Sequence, residues 1–259
     1  MDIGRAFAYP FEDSDWLKKV VIGGILNLIP IVNFATVGYA IQEMERVSRG
    51  EWVPLPEWDN FGDKFMNGLI IGIALIVWLV PVWILLGASI VPIVLSSMAH
   101  RSSSAGLGAS LLAMFLGGIW SFVVAILYPA IAMNYARKRT FGSCFEFSSI
   151  VGMVMADPGS YVLGIVAYLG AAILVGLIAQ IPFIGWIIGL LGGFYVLLVL
   201  AGAYGQVLAS ISPGAVASSA PVAPPAVPAH QRPEPEGELL AKPEEKPAAQ
   251  ETEQDESPS

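Results

Sequence analysis

Residues 20–42, 65–100, 102–136 and 158–231 contain no Asp, Glu, Lys or Arg, and up to residue 211 these runs are largely apolar. About 20 consecutive apolar residues cross the roughly 30 Å hydrocarbon core of a bilayer as a helix. Inside that core each backbone N–H and C=O needs a partner within the protein, which restricts what can span it. The chain is therefore expected to be an all-α integral membrane protein whose first partner is the lipid bilayer. Its 13% charged residues compare with about 25% in soluble domains.

Leu17 to Tyr39 sets the sidedness of everything after it. Pro30 and Asn33 sit near its middle, where a straight span has least use for them. Two readings follow. As a full crossing kinked at Pro30, it makes a protein of five spans, with Arg5, Lys18, Lys19 and Arg101 facing one side and Arg46, Arg49, Lys64 and Arg137–Arg139 the other. As a re-entrant helical hairpin turning at Pro30–Asn33, it leaves four crossings and gathers all of these except Arg101 on one face. Short cytoplasmic loops accumulate Lys and Arg, so the hairpin is the expectation. It places both termini in the cytoplasm.

Along the chain, Ile3, Phe7, Tyr9, Phe11 and Trp16 form an aromatic lead-in suited to a membrane interface. Asp13, Ser14 or Asp15 is expected to cap a helix opening at Trp16. After Tyr39 the helix continues to a basic last turn and a glycine stop at Arg49-Gly50. Met66–Ser97 is too long for an untilted crossing, with Pro81 and Pro92 available to bend it. Gly108–Met133 is the next span, and residues 141–155 a short interfacial helix. Asp157-Pro158 opens a helix as cap and first residue, Ser160–Ala179 crosses, and Trp186–Ala209 crosses back. Gln180 and Pro182 lie in the turn between these last two. The run Ile29-Pro-Ile-Val-Asn-Phe34 is echoed at Ile181-Pro-Phe-Ile-Gly-Trp186, but the surrounding spacings differ and the echo alone does not establish a repeat.

Residues 1–211 thus form one helical membrane domain. Residues 212–259 are rich in Pro, Ala and Glu, with nine acids against Arg232, Lys242 and Lys246. Such a segment buries too little apolar surface to offset its ordering entropy and is expected to be disordered. It carries most of the chain's net charge of −8, and with no basic surface to meet phosphates, nucleic acid is not an expected partner.

Candidate chemistry is sparse. No charge lies well inside an expected span, where carriers that move protons or ions place their functional groups. The start, Met1-Asp-Ile-Gly4, is acidic and precedes no small-residue cleavage site, so no removable leader is expected. Cys144 is the single cysteine, and His100 and His230 fall in no catalytic or metal-ligating spacing. The expectation is no enzyme activity, no metal and no cofactor. The strongest periodic signal is structural: Ala109, Ala113, Gly117, Ser121 and Ala125 recur at fourfold spacing. Small residues at that spacing let helices approach closely in lipid, within one chain or in a homo- or hetero-oligomer.

Several stretches also resemble a known family. They are Tyr9-Pro-Phe-Glu-Asp-Ser-Asp-Trp-Leu-Lys-Lys19, Ile29-Pro-Ile-Val-Asn-Phe34, the loop Leu55-Pro56-Glu57-Trp58-Asp59, Asp157-Pro-Gly-Ser-Tyr161 and Tyr204-Gly-Gln206. In this order they resemble the prokaryotic family called domain of unknown function 4013, over residues 1 to about 210. The resemblance implies a multi-pass protein of a bacterial or archaeal plasma membrane and carries over no activity. A non-enzymatic organiser or accessory subunit is the expected role. A carrier or channel for a small solute, built on the breaks at Pro30 and Pro182, is the alternative.

Overall fold

The computed structural model describes residues 1–98, 104–182 and 184–211, and all regular structure among them is helical. They lie within the first of two units, Met1–Ala220. The acidic segment 212–259 and Arg101 fall outside the described residues. Eight α-helices follow in order: α1 Ile3–Ala8, α2 Trp16–Leu28, α3 Phe34–Ser48, α4 Phe61–Met98, α5 Ser104–Lys138, α6 Phe147–Ala156, α7 Pro158–Ile178 and α8 Ile184–Ile211. Among the described residues, four helices (α4, α5, α7 and α8) are long and apolar enough to cross a membrane.

Leu17–Tyr39 is two helices. The backbone breaks at residues 29–33, where Pro30 removes a donor and Ile31 takes a left-handed φ of 74°, an outlier for a β-branched side chain. Helix α2 has 13 residues and is about 20 Å long, too short to cross alone. Side-chain pairings give the directions. Gly23 of α2 meets Phe194, and Asn27, one turn on, meets Gly193, so α2 runs against α8. Tyr39 of α3 packs on Phe194 while Val47 packs on Gly205, so α3 runs with α8. The two helices are therefore antiparallel, joined by a Thr36–Asn27 hydrogen bond at 3.3 Å near the turn.

The same logic orders the rest. Ser110 Oγ donates to Ser89 O and Trp120 Nε1 to Trp78 O, which makes α4 and α5 a second antiparallel hairpin. Tyr161 meets Tyr204 and Val175 meets Gly192, pairing α7 with α8. One end of the molecule collects the starts of α2, α4 and α7 with the ends of α3, α5 and α8. All nine Lys and Arg among the described residues belong to that end: Arg5, Lys18, Lys19, Arg46, Arg49, Lys64, Arg137, Lys138 and Arg139. The core sits there too, around Met44, Ala130–Ala136 and Ala201–Leu208. Toward the other end α4 and α5 stand clear of the remaining helices, and most of their side chains are exposed.

Local chemistry explains the ends of the helices. Asp157 Oδ1 accepts from Ser160 N at 3.0 Å with Pro158 at the first position, as the sequence implies. Gly50, at φ 84°, stops α3 just past Arg49. Of the three cap candidates at α2, Asp15 holds the cap position but makes no side-chain cap bond, and the Asp13 carboxylate is turned to Lys19 and the Leu55 amide. Pro81 and Pro92 both lie inside one continuous 38-residue α4.

Glycine sets the closest approach. A Cβ on Gly38 would collide with the Lys64 carbonyl, and one on Gly68 with the Phe34 carbonyl. Backbone thus meets backbone between α3 and α4, which a side chain would prevent. On α5, Gly117 faces Leu85 and Val82; Ala113 and Ser121 are half-buried, and Ala109 and Ala125 are exposed. Each fourfold step turns about 40° around a helix of 3.6 residues per turn. The buried stripe instead follows sevenfold steps through Ser110, Gly117, Val124 and Ile131. Gly38→Ala and Gly68→Ala should each cost about 1–3 kcal/mol through overpacking. Gly170→Ala on α7, with open space around its Cβ position, should leave the thermal midpoint in detergent unchanged. Equal midpoints for all three would refute the close approach.

Candidate functional site

The polar end is built around the buried Lys19 ammonium. Lys19, early in α2, has three N–H donors, and each finds an acceptor: Asp13 Oδ2 at 2.9 Å, Leu55 O at 2.8 Å and Glu57 Oε1 at 2.7 Å. The Lys19 and Asp13 side chains are 2% and 1% exposed. A buried ion pair is tolerated only when the remaining lone pairs and protons are satisfied. Here they are, since Asp13 also accepts from the Leu55 and Asp15 amides, both at 2.6 Å. Burial pushes the Asp13 carboxyl up, but the Lys19 bond and the two amides outweigh it and hold it below its usual value.

Every residue of the Leu55–Asp59 loop has a role in this knot. Leu55 N and O bracket the ion pair, and Pro56 O accepts from Tyr39 Oη at 2.7 Å. Glu57 closes the ammonium from the solvent side. Trp58 Nε1 donates to Lys19 O at 3.0 Å while its ring lies on Tyr39 and Phe194. Asp59 takes Lys64 Nζ at the start of α4. Tyr9 Oη donates to Leu198 O, its ring meets Trp52, and Arg5 stacks on the far partner of that pair, 4.3 Å from the Trp52 centroid. The loop therefore joins the lead-in, α2, α3, α4 and α8.

Glu43 is the group in this region that the sequence reading missed. It lies on α3 between Tyr39 and Val47 at fourfold spacing, a pattern that puts it on the buried face. It is 0% exposed, and neither carboxylate oxygen has a hydrogen-bond partner. The nearby titratable and charged groups are Tyr9, Tyr39, Arg46, Lys19, Asp13 and Glu51. Arg46 Nε lies 3.4 Å from Glu51 without hydrogen-bond geometry. Burial dominates and raises the Glu43 carboxyl to about 8.

The helix-break residues fall in two turns, at the ends of α2 and α7 away from the basic residues. Pro30 and Asn33 form the α2–α3 turn, and Gln180 and Pro182 the turn before α8. A cavity of about 410 Å³ at the adjoining helix ends is lined by Asn27, Leu28, Ala179, Gly185, Trp186, Gly189 and Leu190, and by none of the four break residues. The ridge residues Ala109–Ala125 belong to neither region and lie on the α4–α5 hairpin.

This arrangement can be set beside known sequences. The profile of a family described as protein of unknown function, DUF4013, matches residues 22–184, more than half of the chain. The chain belongs to that family. The matched range holds the α2–α3 turn, the Leu55–Asp59 loop and Asp157-Pro158. The lead-in with Asp13 and Lys19, and Tyr204-Gln206, flank it. No curated protein and no solved structure matches this DUF4013 member.

A carboxyl raised on folding binds its proton more tightly folded than unfolded. Its contribution to stability is complete below the unfolded value of 4.5 and is lost as pH rises to about 8. Denaturant unfolding of the parent should weaken across that window. Glu43→Gln, which keeps the neutral shape, should be flatter there and more stable at pH 8. Parallel profiles for parent and variant would show that Glu43 is already ionised.

Proposed function

We propose that this protein is a non-enzymatic organiser or accessory subunit of the prokaryotic plasma membrane. Its N-terminus, the 49–60 loop and the tail after α8 lie on the cytoplasmic face, and the α2–α3 hairpin enters the membrane from that side and returns. Nine basic residues at one end support this orientation by the charge rule. The role itself rests on one observation, the open half of the α4–α5 hairpin.

Helix α4 has 38 residues and α5 has 35, about 57 and 52 Å. Helix α7, with 21 residues, is about 31 Å long and matches the hydrocarbon core without tilt. Tilts within the usual 0–40° do not fit α4's apolar length into that thickness. Large apolar side chains such as Trp83, Phe115 and Phe122, each more than 60% exposed, line this arm beside Gly108 and Gly118, which have open space at their Cβ positions. Small residues left unused inside the chain are the kind that seat a neighbouring helix. A partner helix, of the same or another protein, covers the arm.

The second reading, a carrier or channel for a small solute, is supported by a cavity whose lining residues flank the two helix breaks. Discontinuous helices build the binding sites of many transporters. Two measurements separate the readings. Purification in mild detergent and mass measurement in nanodiscs should give assemblies larger than one chain, with Gly118→Cys cross-linking in a Cys144→Ser background. Flux from proteoliposomes across a panel of small solutes should equal that of empty vesicles. A lone monomer that transports would replace the first reading with the second.

A further inference from the structure

Beside the knot, and sharing only Lys64 with it, is a second cavity of about 510 Å³ between α3, the start of α4 and the end of α5. Its volume is in the range of small-ligand sites, but its lining is mostly polar. On one wall Glu45 is clamped by two guanidiniums: Arg49 Nη1 at 2.6 Å on one oxygen, and Arg139 through Nε at 3.1 Å and through Nη2 on the other. A guanidinium carries five N–H donors, and the bonds to Glu45 and Glu51 leave donors over on both arginines. On the α4 side stand Asp63, which makes no ion pair among the described residues, and Asn67, whose Oδ1 is taken by Tyr135 Oη at 2.8 Å, leaving its amide N–H₂ as a donor.

The backbone adds an independent sign. Arg139 follows the last residue of α5 with φ 52°, and its N–H donates to Tyr135 O at 2.8 Å. That left-handed stop after a helix is normally filled by glycine. An arginine there is unfavourable for the backbone, and such residues concentrate where a side chain is needed for binding. Asn60, also lining the cavity, is left-handed as well at φ 46°, a conformation asparagine tolerates.

The charges decide the ligand class. Lys64 is already held by Asp59. The other charges lining the cavity are two arginines and two carboxylates, so a bare dianion is not favoured. We propose that this cavity binds a phosphoryl group with a nearby ammonium, the phosphate on Arg49 and Arg139 and the ammonium on Asp63. That chemistry is shared by a phosphatidylethanolamine headgroup and by free phosphoethanolamine. The cavity lies at the basic end of the helices, and the inference stands apart from the organiser reading.

The test is thermal unfolding of the full chain, in detergent with free phosphoethanolamine or inorganic phosphate, and in nanodiscs of phosphatidylcholine with phosphatidylethanolamine or phosphatidylglycerol added. A midpoint rise with phosphatidylethanolamine alone identifies the lipid, and a rise with phosphoethanolamine as well identifies the soluble compound. Arg139→Gly removes the donor while giving the backbone its preferred residue, so it should fold and lose the rise; Asp63→Asn should lose most of it. The proposal is overturned if neither ethanolamine ligand raises the midpoint, if phosphate or phosphatidylglycerol does so equally, or if Arg139→Gly responds like the parent.

Discussion

The Lys19 ammonium, buried with an acceptor for each of its protons, is the interaction on which the polar half of this protein depends. Removing a charge from water costs several kcal/mol per ion unless the protein replaces every lost contact. Asp13, Leu55 and Glu57 do so from two different segments. Satisfying Lys19 therefore requires the lead-in and the 51–60 loop to meet at the foot of α2. Once they meet, the α2–α3 hairpin is closed at its base, and Trp58 and Tyr39 can stack across it onto Phe194.

A second constraint is geometric. Helices in lipid gain little from apolar contact alone and associate through close packing and hydrogen bonds. Gly38 against Lys64 and Gly68 against Phe34 bring α3 onto α4, while Gly23 and Gly205 admit Phe194 and Val47. The Tyr135, Tyr161 and Tyr204 core lies toward the basic end. The far half of α4–α5 has few such contacts. A tight polar end and an open apolar arm are two outcomes of where small and hydrogen-bonding residues fall along the chain.

Much of this was legible in the sequence, for identifiable reasons. Uninterrupted apolar runs gave the four long helices, and Pro30 with Asn33 gave the break in Leu17–Tyr39, because backbone rules act locally. Asp157-Pro158 read correctly for the same reason. What escaped was set by tertiary contact. Asp13 looks like a helix cap and is instead the counter-ion of Lys19; a lysine near an interface gives no local sign that it turns inward. Glu43 was detectable from its spacing with Tyr39 and Val47, but an acidic run beside arginines resembles a solvated face. Ala109–Ala125 marked a close-packing helix, yet its strict fourfold spacing turns away from α4, which only the paired helix reveals. The cavity at Arg139 needed three separate elements and a backbone angle.

The central proposal is that Leu17–Tyr39, which folds back as two antiparallel helices, leaves both its ends on one side of the membrane. Asp2→Cys and Glu51→Cys, each in a Cys144→Ser chain, should both resist an impermeant thiol reagent in intact cells. Both should react once the membrane is permeabilised. Labelling of the Asp2 position in intact cells with the Glu51 position still protected would put the two ends on opposite sides and contradict the hairpin.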